Sequence, residues 1–274
     1  MKRKMDIMTL IGFAGAVAVI FFGTTLSNDP VTGSMVIRTE NLSNFFDVTS
    51  LAIVVGGTFT ALFISFPIDN LFKIPGHLKV IFMPNAYEPN DYINKLVEFA
   101  KKARINGLLA LEEDLANIDD PFLKSSMVMV VDSVDPEKVK QQLEARMDHL
   151  DSRHAADRSF YAKGAAYSPA FGMFGTMFGL INMLKDLSDV SSIGPNMSVC
   201  LITTFYGIVL ANVIFNPINN KLAARHDEEM ICTTIISEGV QAIQAGENPK
   251  FIQERLMNLL PQYQQKPVSD TDAG

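Results

Sequence analysis

Two apolar stretches, residues 165–184 and 197–217, combine residue types that suit an ion pathway. The candidate residues in these stretches are two prolines, one glycine and three threonines: Pro169, Gly172, Thr176, Thr203, Thr204 and Pro217. The first three are spaced by three and four residues, which places them along one face of a helix. Hydroxyl and carbonyl oxygens replace the hydration shell of a small cation, so these six residues are candidates for a pore wall.

The two prolines add unpaired carbonyl groups to these stretches. Pro169 cannot donate to the carbonyl of Ala165, and Pro217 leaves the carbonyl of Val213 free. Such carbonyls are tolerated at membrane depth where they face protein or water. A structural alternative stays open, because threonines in membrane helices often bond to their own backbone and small residues often only pack helices.

Neither stretch contains a charged side chain. Residues 166–184 and 197–218 lack Asp, Glu, Lys, Arg and His, and Asp6 and Asp47 stand only at the ends of other apolar runs. Intramembrane carboxylates are the usual sign of ion-coupled work. If this chain moves ions, the carboxylate that carries them belongs to a partner helix. A scaffold that moves nothing is the alternative.

The composition, 48% hydrophobic and 19% charged, indicates a protein divided between bilayer and water. Four apolar runs have about the 20 residues that a bilayer core of about 30 Å requires: Ile7–Leu26, Val48–Pro67, Ala165–Leu184 and Met197–Pro217. The first run follows a basic MKRK start, but it is too long for a signal peptide and no clear cleavage pattern follows it. Four membrane spans are predicted.

The basic residues predict the orientation of these spans. Of 23 lysines and arginines, only Arg38 and Lys185 lie in the loops 27–46 and 185–196. Basic residues collect on the cytoplasmic side, so both termini and the long middle segment are predicted to be cytoplasmic. The protein is therefore expected to be a multi-pass membrane protein.

The predicted fold is all-α, a polytopic membrane protein whose third and fourth spans continue into the cytoplasm beside a small helical cytoplasmic domain. No segment shows the pattern of a strand. The predicted parts are residues 1–67 (first two spans), 68–164 (cytoplasmic helices), 165–218 (last two spans) and 219–274 (helical tail, disordered from 262). Within the second part, Tyr92, Leu96 and Phe99 are expected on one face of a helix, with lysines on the other face.

Several classes of function find no support in the sequence. The net charge of −7 says nothing about binding to nucleic acid, and no contiguous basic patch or interleaving of aromatic and basic residues suggests it. Cys200, Cys232 and the four scattered histidines form no metal-binding pattern. No nucleophile–base pair or phosphate loop suggests an enzyme, so no catalytic residue and no resident cofactor are predicted.

The segment ARINGLLALEED places Arg104, Glu112 and Glu113 on either side of a predicted turn at Asn106–Gly107. One interpretation is a solvated surface whose ion pairs contribute little. The other is a docking surface whose opposite charges steer a partner into register.

The chain resembles the MotA/PomA family of flagellar motor stator proteins, within the MotA/TolQ/ExbB superfamily. Four segments carry the resemblance in order: FDVTSLAIVVGGT, ARINGLLALEED, SPAFGMFGTMFGLINML and SIGPNMSVCLITTFYGIVLANVIFNPI. The resemblance implies a ring of five such subunits around two copies of a MotB-type protein. That partner has one membrane helix, which carries the ion-binding aspartate, and it anchors to peptidoglycan. Ion flow would then turn the ring against the rotor protein FliG for motility and chemotaxis.

By the same resemblance, Arg104, Glu112 and Glu113 match the torque surface, and Pro169 and Pro217 match the prolines of the ion path. The transported ion is H⁺ or Na⁺.

Three positions bear on how closely the family pattern is followed. Threonine at position 176 resembles the sodium-type branch, which favours Na⁺. Ile105 stands where that branch often has a second basic residue, and Cys200 stands where alanine is usual. An energising subunit of the TolQ/ExbB type is the alternative, although such proteins usually have three spans.

Overall fold

The computed structural model describes residues 5–28, 34–84, 87–185 and 187–265. These residues are almost entirely helical, which confirms the predicted all-α class. The helices are α1 (Ile7–Thr25), α2 (Val48–Ser65), α3 (Asp69–Phe82), α4 (Pro89–Asn106), α5 (Glu112–Ala116), α6 (Pro121–Val131), α7 (Pro136–Lys185), α8 (Val190–Gln244) and α9 (Pro249–Met257). Short 3₁₀ segments lie at Thr39–Phe45, Leu108–Leu111 and Gln262–Gln264.

Two short strands contradict the prediction that no segment forms a strand. Strand β1 (Leu26–Asn28) follows α1 directly and pairs antiparallel with β2 (Met35–Ile37), with Leu26 opposite Ile37. Each strand has three residues, which is too short for an alternating pattern to be visible in the sequence.

The helix ends follow from the sequence. The side chains of Asp6, Asp47, Asp120, Asp189 and Asn248 cap five helix starts by accepting backbone N–H groups. The predicted Asn-Gly turn is confirmed, because α4 ends at Gly107 with a φ of 83°. Of the predicted disordered tail, residues 266–274 lie outside the described residues, while Gln262–Gln264 forms a 3₁₀ turn.

Both long helices run unbroken, as predicted. Helix α7 has 50 residues and contains Pro169, and α8 has 55 residues. Within α8, the segment Leu210–Phe215 is a π-helix, in which the N–H of Asn216 bonds to the carbonyl of Ala211. This widened turn lies immediately before Pro217, the kind of interruption that proline induces in a helix.

Within the described residues, three helices are long and apolar enough to cross a membrane: Ile7–Thr25, Val48–Ser65 and Val190–Gln244. Helix α7 is not among them, because residues 165–184 include a proline, three glycines and Asn182, which lower their mean hydropathy. The count of four spans therefore stays a prediction.

The chain divides into two compact units. The span unit comprises Met5–Pro84 and Ala155–Ala223, and the head unit comprises Asn85–His154 and the chain from Ala224 onward. Helices α7 and α8 contribute to both. This division follows packing, whereas the predicted limits 1–67, 68–164, 165–218 and 219–274 refer to a membrane and stay predictions.

Each unit has its own core. In the head unit Leu96, Leu111 and Ile235 are fully buried, and Tyr92 and Phe99 lie in the same buried cluster as Leu96. In the span unit the buried cluster consists of Leu62, Ile81, Phe160, Tyr161, Phe215 and Ile218.

Candidate functional site

Helices α7 and α8 approach so closely in the span unit that only glycine fits at several contact positions. A Cβ atom at Gly172 would lie 3.0 Å from the carbonyl oxygen of Thr203, and one at Gly207 would lie 2.7 Å from that of Ser168. A Cβ atom at Gly175 would collide with the Thr203 side chain. Small residues that bring backbones together are a common means of packing membrane helices. Close packing therefore explains Gly172, which the sequence placed on the ion path.

Beside this contact, the hydroxyl groups of Thr176 and Thr204 meet, with their oxygens 2.8 Å apart. The Thr176 oxygen also lies 3.1 Å from the Gly172 carbonyl oxygen and 3.2 Å from that of Cys200. The Thr204 oxygen lies 3.1 Å from the same Cys200 oxygen. Thr204 is exposed on the surface of this single chain, and Thr176 is partly exposed. The structure thus brings two of the predicted threonines into one oxygen cluster at the surface.

The hydroxyl oxygens of this cluster can accept further hydrogen bonds or coordinate a cation. Each hydroxyl has one proton and two lone pairs. When Thr176 donates to Thr204 and Thr204 donates to the Cys200 carbonyl, three of the four hydroxyl lone pairs remain unused. A cation or a donor from another chain can bind to these oxygens.

The third threonine is placed differently. Thr203 is fully buried against Gly175, and its hydroxyl donates to its own helix, 2.8 Å from the Val199 carbonyl oxygen. Its side chain belongs to the α7–α8 contact rather than to the exposed oxygen pair.

Cys200, which was not predicted as a site residue, joins the cluster through its carbonyl oxygen and its thiol. Its carbonyl oxygen lies within 3.2 Å of the hydroxyl oxygens of Thr176, Thr203 and Thr204. Its thiol donates across the contact to the Thr176 carbonyl oxygen at 3.3 Å. The signal available in the sequence was the spacing of three and four residues from Cys200 to Thr203 and Thr204, which allows a hydroxyl to bond back along a helix.

The two predicted prolines lie at separate positions. Pro169 is at the α7–α8 contact, where its Cα would lie 3.1 Å from a Cβ at Gly207. Pro217 lines a crevice of about 410 Å³ between α1 and α8. Other residues of that crevice are Met8, Gly12, Phe13, Asn212 and Val213. The structure does not bring the two prolines together.

The carboxylates at the ends of the spans, Asp6 and Asp47, already accept hydrogen bonds as helix caps. Asp6 caps α1 through the N–H of Thr9 and pairs with Lys221 at 2.6 Å, and the Lys221 hydrogen bond lowers the pKa of Asp6 to about 2. Asp47 accepts the N–H of Ser50 at 2.6 Å, and hydrogen bonds from Ser50 lower its pKa. Both groups act as fixed, ionised helix caps.

The chain's thiols do not provide a metal centre. Cys200 and Cys232 are free and buried, and burial raises the pKa of Cys232 to about 12. Among the described residues, no three His, Cys, Asp or Glu side chains are grouped so as to hold a metal ion. At the α7–α8 contact, the ligand atoms offered by Thr176, Cys200 and Thr204 are hydroxyl and carbonyl oxygens.

The charged segment in the head unit folds around a rigid turn. The N–H of Gly107 bonds to the Ala103 carbonyl at 2.9 Å, and the 3₁₀ segment Leu108–Leu111 leads directly into α5. The buried side chain of Leu111 anchors this segment in the core.

All three predicted contact residues of this segment are exposed. Arg104 ends α4, and Glu112 and Glu113 begin α5 on the other side of the turn. A 2.7 Å ion pair between Lys102 and Asp114 links the two sides. The turn therefore carries a basic group and an acidic pair on one solvent-exposed segment.

The sequence of this chain is similar to one protein family model and to proteins of known name. Residues 114–234 match the model of the MotA/TolQ/ExbB proton channel family. Motility protein A of Borreliella burgdorferi is 39% identical over 256 residues, which cover 93% of this chain and 94% of that protein. Chemotaxis protein PomA of Vibrio alginolyticus is 36% identical, with 93% of this chain and 96% of that protein covered.

Two solved structures share the fold. The C. jejuni MotAB structure has a TM-score of 0.82 at 28% identity and covers 97% of this chain and 100% of its own. The flagellar MotAB stator complex from Bacillus subtilis has a TM-score of 0.80 at 28% identity and covers 93% of this chain and 96% of its own.

Proposed function

This chain belongs to the MotA/TolQ/ExbB proton channel family, and we propose that it is the ring-forming subunit of a flagellar stator that converts ion flow into torque. The observation that carries the proposal is the similarity to motility protein A over nearly the whole chain. The fold of the MotAB stator complexes supports it. The subunit would sit in the bacterial cell membrane with four spans and cytoplasmic termini, and it would contribute to motility and chemotaxis.

The ion-carrying carboxylate comes from a MotB-type partner with a single membrane helix. The helix pair α7–α8 offers oxygens but no charged side chain over residues 166–184 and 197–218. Asp6 and Asp47 are committed to helix caps, so neither is free to shuttle ions. A ring of five subunits around two such partners gives each partner carboxylate access to a Thr176–Thr204 pair.

The transported ion is sodium. A proton needs one titratable group and a water path, whereas sodium needs several oxygens arranged around it. The unused lone pairs of Thr176 and Thr204 would supply two such ligands beside the partner's carboxylate. Thr203, whose hydroxyl is buried in the helix contact, supports the site by packing.

The exposed charges of the head unit contact the rotor protein FliG. Arg104, Glu112 and Glu113 lie around one rigid turn, and charges of both signs there would set the register of the partner. An energising subunit of the TolQ/ExbB type is less favoured, because relatives that match over nearly their whole length are named motility protein A and chemotaxis protein PomA.

Restoration of swimming tests this function. Cells that lack their own stator receive this chain together with a MotB-type partner from the same source. We expect swimming to return, and we expect it to fail when either subunit is omitted or when the partner's membrane aspartate is changed to asparagine. Restored uptake through an outer-membrane system, without swimming, would favour the TolQ/ExbB alternative instead.

A further inference from the structure

The two most exposed large apolar side chains among the described residues of the head unit lie at a single turn. Among the described residues of that unit, five large apolar side chains are exposed: Ile105, Leu109, Val128, Phe251 and Leu259. Ile105 is 80% exposed and Leu109 is 73% exposed, while the next, Phe251, is 57% exposed. Single exposed apolar residues are normal on a surface, but the two most exposed ones lie four residues apart around Gly107.

The turn holds these two side chains out by its own structure. Gly107 has a φ of 83°, a conformation that favours glycine, and Ala110 donates back to its carbonyl at 3.3 Å. Leu108 and Leu111, which alternate with the exposed positions, pack into the core. With Leu108 and Leu111 packed against the core, Ile105 and Leu109 lie on the solvent side of the turn.

Charged, exposed residues flank this apolar pair in the sequence on both sides. Arg104 precedes Ile105, and Glu112 and Glu113 follow Leu109 by three and four residues. An apolar centre with a charged rim is the usual anatomy of a protein–protein interface. The pair is thus continuous with the surface proposed to contact the rotor.

We propose that Ile105 and Leu109 form an apolar anchor that inserts into a shallow apolar pocket of the rotor protein. This inference rests on the proposed rotor contact. The pocket would be bordered by an acidic group facing Arg104 and by a basic group facing Glu112 and Glu113. The charges steer encounter and set orientation, whereas the buried apolar pair sets how long the contact lasts.

The salt dependence of rotor binding distinguishes the contribution of the charges from that of the apolar pair. Exposed charges are screened over about 8 Å at physiological ionic strength and over about 3 Å at 1 M, whereas apolar burial is not weakened by screening. We expect the anchor to account for the binding that remains at high salt.

The experiment measures binding of purified rotor protein to the complete stator, this chain with its partner, at 0.05 M and 0.5 M salt. The anchor variant is Ile105→Ser with Leu109→Ser, its conservative counterpart is Ile105→Val with Leu109→Met, and the matched control is Phe251→Ser. Ion flux and thermal unfolding of each complex report whether it is intact.

We expect the double serine variant to bind the rotor about tenfold or more weakly at both salt concentrations, with ion flux unchanged. The conservative variant and the Phe251→Ser control should bind as the wild type does. Wild-type affinity in the double serine variant, or an equal loss in the control, would overturn the anchor. If Arg104→Glu weakens binding while the double serine variant does not, the rotor contact stands and the anchor fails. If the wild-type stator does not bind the rotor protein at all, both fail.

Discussion

The hydroxyl oxygens of Thr176 and Thr204 lie 2.8 Å apart, one on each of the two longest helices. Both are also within 3.2 Å of the Cys200 carbonyl oxygen. These hydrogen bonds hold the two side chains in one orientation and leave hydroxyl lone pairs unused. They give the span unit an oxygen site without a charge of its own.

The pair predicts unequal effects of two neighbouring substitutions. Thr204→Val removes a hydroxyl from the oxygen cluster, whereas Thr203→Val removes one that bonds only within its own helix. A hydrogen bond or ligand to a charged group is worth about 1.5–3 kcal/mol, so we expect Thr204→Val to raise the sodium concentration for half-maximal swimming by about tenfold or more. Thr203→Val keeps the packing volume and should change it little.

Swimming speed as a function of sodium, at constant pH and membrane potential, measures both variants. An unaffected Thr176→Ala variant, or full speed without sodium, would contradict a sodium site and favour protons.

Helix packing predicts a second contrast, between two glycines. A Cβ atom at Gly207 would lie 2.7 Å from the Ser168 carbonyl oxygen, whereas one at Gly15 would meet nothing within 4 Å. Gly207→Ala should destabilise the protein by about 1–3 kcal/mol through overpacking, and Gly15→Ala should be neutral or mildly stabilising. Thermal unfolding of the purified complex in detergent compares the two. Equal stability of both variants would show that α7 and α8 are farther apart than described.

The helices and their ends were largely predictable, because local signals determine them. Asp6 and Asp47 stand directly before apolar runs, and an Asn-Gly pair ends α4. Which of the two adjacent threonines packs against α7 and which is exposed was not predictable. Thr203 and Thr204 are adjacent, so a rotation of about 100° per residue decides which faces α7, and that rotation depends on how two distant helices pack.

The set of residues at the α7–α8 contact also depended on packing between distant parts of the chain. The stripe Pro169–Gly172–Thr176 was visible in the sequence, but the contact also involves Gly175 and Gly207, which lie outside that stripe and whose partners lie on the opposite helix. Gly172, Gly175 and Gly179 did show the small-residue spacing of a packed helix, and that signal was sufficient to predict the contact without its register.

The partly buried side chain of His77 predicts how the stability of the protein depends on pH. His77 of α3 lies 2.9 Å from the Tyr161 hydroxyl and 3.6 Å from a carboxylate oxygen of Asp157, which also pairs with Lys73. Burial lowers the pKa of His77 below its usual value of 6.5, although Asp157 opposes the shift. Below about pH 6.5 the unfolded chain therefore binds a proton that the folded chain does not, so this contribution to stability is present above that pH and is lost as the pH falls.

Thermal unfolding between pH 7.5 and pH 5.5 measures this effect. We expect His77→Gln to lose less stability than the wild type over that range, because it removes the titrating group. His149→Gln, at an exposed position of the head unit, is the control and should follow the wild type. A steeper pH dependence in His77→Gln than in the wild type would contradict the assignment.

Pro217 allows a test of the π-helical turn that precedes it. Alanine at this position supplies an N–H that can bond to the Val213 carbonyl, which should tighten the turn Leu210–Phe215. We expect Pro217→Ala to leave the stator assembled and to reduce swimming strongly. Pro121→Ala, at the first position of α6, should have no such effect. Co-purification with the partner and swimming speed are the two readouts, and loss of the complex would point to a structural role for Pro217.

Ion flux into liposomes tests the central claim most directly. The chain is reconstituted alone, with its MotB-type partner, and with a partner whose membrane aspartate is changed to asparagine, and uptake of sodium and of protons is recorded after an ion gradient and membrane potential are imposed. We expect no uptake from this chain alone, because its oxygen site contains no charged group, uptake with the intact partner, and none with the asparagine variant. Sustained uptake by the chain without a partner would contradict the claim that the ion-carrying carboxylate comes from a second protein.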